Sequence, residues 1–94
     1  MNEVNIIHKN IHVKGRVQGV GFRFACKKMA ISLGIKGFVK NNYDGSVNIE
    51  AEGNELQVFH FIEWCQKGPQ YANIEEVVVK DGDLKGFNHF EITF

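Results

Sequence analysis

The sequence predicts an α+β sandwich in which two antiparallel helices lie on one face of an antiparallel sheet of four or five strands. Three observations carry that expectation. Stretches rich in Ile and Val with two-residue alternation recur at residues 6–14, 35–41 and 47–52. Two longer stretches, 22–33 and 54–67, place apolar residues at helical spacing. The elements fall in the order β-α-β-β-α-β, with one terminal strand more, inside 94 residues. A chain of that length suits one domain, so residues 1–94 are read as a single unit.

Each element has its own warrant. In residues 6–14, Ile7, Ile11 and Val13 alternate with His8 and His12, which places both histidines on a solvated strand face. A stretch with Gly15, Gly19 and Gly21 follows. From Phe22 the spacing turns helical, because Phe22, Cys26, Met29, Ala30 and Leu33 share a face, and Gly34 is the stop signal. The strand over 35–41 runs into Asn42-Tyr43-Asp44-Gly45, where Asp-Gly signals a hairpin turn. Val47, Ile49 and Ala51 alternate with Asn48, Glu50 and Glu52, as in a half-buried strand. The second helix carries a stripe of Val58, Phe61, Ile62 and Cys65, widened by Leu56 and Phe59, and ends at Gly68-Pro69. Strands over 74–80 and 87–94 close the chain, joined through Asp81-Gly82-Asp83.

The most economical topology for that order is the split βαβ, or ferredoxin-like, sandwich. The first and second strands then run parallel, with the third inserted between them. Their carboxyl ends share one edge of the sheet. The segment 15–23 leaves the first end, and Asn41 sits at the second, in phase with Ile35 and Val39 and so on the helix-covered face.

Composition narrows the function classes. Eleven basic side chains balance eleven acidic ones, which leaves no electrostatic footprint for nucleic acid. Residues 6–14 and 46–52 contain no aromatic on which an RNA base could stack. The apolar runs are too short for a bilayer, and Met-Asn-Glu-Val-Asn does not open a secretory leader. The expectation is a soluble cytoplasmic monomer with no membrane or nucleic-acid partner. Cys26 and Cys65 do not make a zinc site and are read as buried reduced thiols. Antiparallel helices would bring them close, so a disulfide stays open as the alternative. The four histidines are scattered, with no carboxylate or thiol spaced to complete a metal site. No metal and no cofactor are expected.

The segment Gly15-Arg16-Val17-Gln18-Gly19-Val20-Gly21-Phe22-Arg23 links a strand to the start of a helix. The first amides of a helix lack internal partners and carry the positive end of its dipole. Glycines let the preceding backbone curl so that more N–H groups point inward. Together these make an anion cradle. A cation in the first helical turn, here Arg23, is disfavoured by the dipole unless an anion bridges guanidinium and amides. From glycine spacing alone, a tight turn with an exposed arginine accounts for the segment equally well. Nucleotide motifs do not fit, since Gly21 is followed by Phe22 rather than Lys-Ser/Thr, and Gly19-Val20-Gly21 lacks a third fingerprint glycine. The cradle suits a small phosphate.

Val13 to Arg23, read as a whole, resembles the first signature of the acylphosphatase family. Gly37-Phe38-Val39-Lys40-Asn41, then Asp44-Gly45-Ser46-Val47 and on to Gly53, resembles the second. Both match without a gap, in order, while residues 70–94 carry little family signal. The resemblance implies hydrolysis of acyl phosphates to a carboxylate and inorganic phosphate, without a metal or a phosphoenzyme. It assigns Arg23, with the amides of Gly15 to Arg23, to the phosphoryl group, and Asn41 to the attacking water. Inorganic phosphate or sulfate would compete for the same cradle. The alternative is a non-catalytic phosphate- or carbamoyl-phosphate-binding domain. A phosphoester substrate is disfavoured, because an alkoxide leaving group needs an acid or a metal that the sequence does not supply.

Overall fold

The computed structural model describes residues 5–93. Residues 1–4 and 94, and with them most of the amino-terminal stretch read for a leader, lie outside the described residues. The alternating stretches become β1 (Ile6–Arg16), β2 (Lys36–Asn41) and β3 (Val47–Asn54). The helical stretches become α1 (Phe22–Ser32) and α2 (Glu55–Lys67), and β4 (Asn73–Asp81) and β5 (Phe90–Thr93) complete the chain.

The sheet order is β4-β1-β3-β2-β5. Both β1 and β2 pair antiparallel with β3, so they run parallel to each other with β3 between them, as expected for the split βαβ unit. β5 pairs parallel with β2, which makes the sheet mixed where the sequence suggested an antiparallel one. The cause is the path of the chain. β4 ends at the same end of the sheet where β2 begins, so the connection over 82–89 crosses that end and delivers β5 in the direction of β2.

The core lies between the sheet and the helices. Val39, Ile49 and Ile11 form one register row across three strands, and each is at most 1 % exposed. Phe22, Cys26 and Ala30 of α1, and Val58, Phe61 and Cys65 of α2, close over them. Phe61 meets the rings of Phe90 and Trp64 at centroid distances of 6.1 and 6.3 Å. Leu56 and Phe59 do not widen that stripe and are 60 % and 56 % exposed. At about 100° per residue they lie about 160° and 100° around the helix from Val58, away from the sheet. Both cysteines are free and buried. Burial pushes the Cys65 thiol up to about 12. Burial and then the charge of Cys65 push Cys26 well above the usual thiol range.

His8 departs from its expected solvated position. It lies on the face of the sheet away from the helices, yet it is 3 % exposed, because the connection over 82–89 folds across it. The strap is held by Glu52. Its carboxylate accepts N–H bonds from Lys85 (2.5 Å), Phe87 (3.0 Å) and Gly86 (3.1 Å), and one from His8 Nδ1 (2.7 Å). The Phe87 ring stacks on His8 and meets Phe38 edge-on, both at 5.9 Å. His8 Nε2 lies 3.1 Å from Glu50 Oε1 without the direction of a hydrogen bond. A periodicity argument sees only which face His8 takes, not what later crosses that face.

Burial alone raises the Glu52 carboxyl, but the Lys85 amide, the His8 ring and the Phe87 amide outweigh it and hold the group below its ordinary value of 4.5. The unfolded chain therefore takes up the proton first. The ionised form stabilises the fold above that value, and the contribution is lost as pH falls through the lower folded-state value. Glu52→Gln is expected to lose about 2 kcal/mol in urea unfolding at neutral pH. The gap to wild type should close as the pH drops into the acid range. A gap that stayed constant there would show that the charge is not what holds the strap.

Candidate active site

The segment expected to cradle an anion begins at a break in the β1–β4 ladder. The register shifts between Lys14 and Gly15. Gly15 has φ 130°, and a Cβ there would lie 2.1 Å from the carbonyl oxygen of Asn73, so only glycine fits where the loop departs. Val17 and Phe22 are each 1 % exposed, and their side chains anchor the loop in the core. Only their backbone groups can face an anion. Arg16, Gly19 and Gly21 are exposed, while Gln18, Val20 and Arg23 are half-buried. Gly21, with φ 77°, caps the start of α1 in a left-handed conformation.

The two helix starts are built differently. The first helical bond of α1 runs from the Ala25 N–H to the Gly21 carbonyl at 3.1 Å. No side chain caps the earlier amides, and the first turn holds no acid. α2 is capped by the Asn54 side chain, which accepts the Leu56 N–H at 2.9 Å, with Glu55 beside it. The α2 start is thus neutralised by its own sequence, whereas the α1 start carries positive potential and adds Arg23 to it.

Asn41 is the last residue of β2, on the helix-covered face. Its register row continues through Val47 and Val13 to Val77. The Asn41 Oδ1 atom is buried and meets no hydrogen-bond donor among the described residues. A buried carboxamide oxygen left in that state costs about 1–3 kcal/mol. Such a cost is usual where an acceptor is kept for a function.

The turn after Asn41 is closed by an Asn42 N–H to Ser46 carbonyl bond of 2.8 Å and a Gly45 N–H to Asn42 carbonyl bond of 3.2 Å. Ser46, 3 % exposed, is its hub. Its hydroxyl donates to Asp44 Oδ1, so the His12 Nε2 and Asn42 Nδ2 contacts, both 2.9 Å, are donations to it. The Ser46 hydroxyl and then the Ser46 amide hold the Asp44 carboxyl below the usual carboxylate range. Gln18 reaches this turn from the loop, with Nε2 2.8 Å from the carbonyl oxygens of both Asn42 and Ser46. Loop and turn therefore meet at one corner of the sheet, and a cavity of about 460 Å³ opens there between Gln18, Lys40, Asn41, Asn42 and Tyr43. Two further concavities, around Asn48 on the open sheet face and around Phe59 beside α2, include no residue of the 15–23 segment.

Of the segment 15–23, Gln18 is thus brought to Asn41 and to the turn that follows it. The roles of His12, Ser46 and the Gln18 side chain were not foreseen. Asp44-Gly45 announces a turn, but nothing local says that His12, 34 residues from Ser46, completes it. Among the described residues, no cluster of three or more His, Cys, Asp or Glu could hold a metal ion. No described helix is long and apolar enough to cross a membrane.

A family model described as acylphosphatase matches residues 9–92. The chain belongs to the acylphosphatase family. An acylphosphatase of Archaeoglobus fulgidus is 42 % identical over 89 residues, covering 95 % of this chain and 100 % of its own. The crystal structure of the Bacillus subtilis acylphosphatase superposes with a TM-score of 0.91 at 35 % identity, covering 96 % of this chain and all of that one. Full-length HypF, crystallised in its phosphate- and nucleotide-bound form, contains a similar fold with a TM-score of 0.92 at 33 % identity. That match covers 99 % of this chain but 12 % of the HypF chain. The fold of this family thus serves both as a whole protein and as part of a larger one.

The loop geometry is testable through its glycines. Gly15→Ala combines positive φ with a backbone collision and is expected to cost at least about 2 kcal/mol in chemical denaturation. Gly21→Ala meets no neighbour within 4 Å and should cost only the left-handed strain, about 1 kcal/mol. Equal costs at the two positions would contradict the close approach to Asn73.

Proposed function

We propose that this chain is an acylphosphatase, acting as one domain on a small acyl phosphate by direct attack of water and without a metal. What supports the reading is the strand order, which ends β1 and β2 at one sheet edge, together with an uncapped start of α1, where Arg23 lies, and a buried Asn41 oxygen that meets no donor among the described residues. Family membership supports the reaction class.

The chemistry asks little of the protein. The loop amides from Gly15 to Arg23 and the Arg23 guanidinium hold the equatorial phosphoryl oxygens, where charge is spread in the transition state. Arginine suits this because its planar fork bonds two oxygens at once. Asn41 Oδ1 accepts a hydrogen from the attacking water and so aims its lone pair at phosphorus. The water oxygen bonds to phosphorus, the bond from phosphorus to the acyl oxygen breaks, and its electron pair leaves on the carboxylate. A carboxylate is a weak base and departs without a general acid. The protons of the water pass to phosphate oxygens. The product anion, and sulfate of like shape, compete for the cradle.

Chelator-treated protein should release phosphate from an acyl phosphate and not from a phosphomonoester. Arg23→Ala should abolish release, and Arg23→Lys should restore little of it because the fork is lost. Asn41→Ala should lower kcat by roughly 10²–10³, the scale of one preorganised polar group, while phosphate still binds. Full activity in Arg23→Ala would refute the mechanism. Phosphate binding with no turnover in the wild-type protein would favour a binding domain instead.

A further inference from the structure

We infer that Gln18 is not a phosphate ligand through its side chain but a positioning residue, a strut that sets the distance between the anion loop and Asn41. The inference rests on the reading of the Gly15–Arg23 loop and Asn41 given above and goes beyond it. The strut is visible as two bonds. Gln18 Nε2 stands 2.8 Å from the Asn42 carbonyl oxygen and 2.8 Å from the Ser46 carbonyl oxygen. Both partners are acceptors only, so the amide nitrogen of Gln18 must face them and both of its hydrogens are spent. No side-chain donor remains for a phosphoryl oxygen.

The acceptors are filled as well. The Asn42 carbonyl also accepts the Gly45 N–H at 3.2 Å, and the Ser46 carbonyl also accepts the Asn42 N–H at 2.8 Å. Each carbonyl has two lone pairs, and each is fully used. The Gln18 carboxamide is therefore built into the hairpin as a third layer of its turn, although it is 24 residues from Asn42 and 28 from Ser46. It grips the residue that directly follows Asn41. The rest of the turn is held from the far side by His12 on the Ser46 hydroxyl. Val17, next to Gln18, is anchored in the core, so the strut pulls the hairpin toward a rigid point rather than toward a mobile loop.

The consequence is a division of roles within the loop. The amides and Arg23 set how tightly phosphate is held. Gln18 sets where Asn41 stands relative to it, which matters only when water attacks in line. Loss of the strut should appear in kcat and not in phosphate affinity. A side chain that bound phosphate directly would move both together.

The test measures kcat, KM and the inhibition constant of inorganic phosphate for wild type, Gln18→Ala, Gln18→Glu, Arg23→Ala and Asn41→Ala in one assay with an acyl phosphate, with urea unfolding of each. Gln18→Ala is expected to lower kcat about tenfold, the worth of one neutral hydrogen bond, with phosphate inhibition within about twofold of wild type. Gln18→Glu sets a carboxylate against two carbonyl oxygens when ionised. Once protonated, it offers one O–H to them. Its kcat should therefore rise, relative to wild type, as pH falls through the carboxyl range, a pH response that Gln18→Ala lacks. A kcat for Gln18→Ala within twofold of wild type would overturn the strut. So would a tenfold weakening of phosphate inhibition in step with kcat, and so would a Gln18→Glu profile parallel to that of Gln18→Ala. If Arg23→Ala and Asn41→Ala keep full turnover, the underlying reading fails instead, and the two failures are told apart.

Discussion

The pairing of β1 and β2 on opposite sides of β3 is the constraint on which the rest of this molecule depends. Two strands that are antiparallel to a common neighbour must be parallel to each other, so their carboxyl ends emerge at the same sheet edge. One end releases the Gly15–Arg23 segment and the other presents Asn41. The register is equally binding. Asn41 lies in the row of Val47 and Val13, and a slip by one residue would turn it to the open face, away from the loop. The buried row of Val39, Ile49 and Ile11 resists that slip, because it would drive the same residues out of the core.

The two ends of the sheet spend their polar groups differently. At the end remote from the loop, a buried carboxylate is fully supplied: Glu52 receives three backbone amides and a histidine, and so fastens the strap that leads into β5. At the loop end, two polar features are left without a protein partner among the described residues. The start of α1 has no side-chain cap and no acid in its first turn, and Asn41 Oδ1 meets no donor among the described residues. The turn beside it is densely bonded, with the Ser46 hydroxyl engaged three times and both hydrogens of the Gln18 amide used. Rigid surroundings and unsatisfied central groups are what a preorganised site requires, since reorganisation at the moment of reaction is then small.

That contrast suits the modest chemistry of the proposed mechanism. A leaving group that departs as a carboxylate removes the need for a posted acid. What remains is charge stabilisation and the aiming of water, and a loop of backbone amides, one arginine and one amide side chain are sufficient kinds of group for both. In the proposed mechanism the separation of holding from aiming follows the covalent layout, because the groups proposed to hold lie on the β1–α1 crossover and the group proposed to aim lies on β2.

Much of this was legible in the chain. Two-residue and 3.6-residue periodicities are local properties, so the strands, both helices, the face taken by Asn41 and the glycine-bearing segment before Arg23 could be read directly. The order of elements limited the topology to one economical choice. Other features were decided only by the tertiary structure, because they depend on where distant segments cross. His8 is buried by a strap more than seventy residues later in the chain, which no alternation pattern reports. β5 runs parallel to β2 because of the path from β4, not because of its own four residues. Leu56 and Phe59 are apolar yet lie on the outer side of α2, since the helix phase is set by Val58, Phe61 and Cys65 together. Gln18 reads in the sequence as one more loop residue. Only the fold brings its amide to the turn beside Asn41, because the sheet returns the chain to that corner.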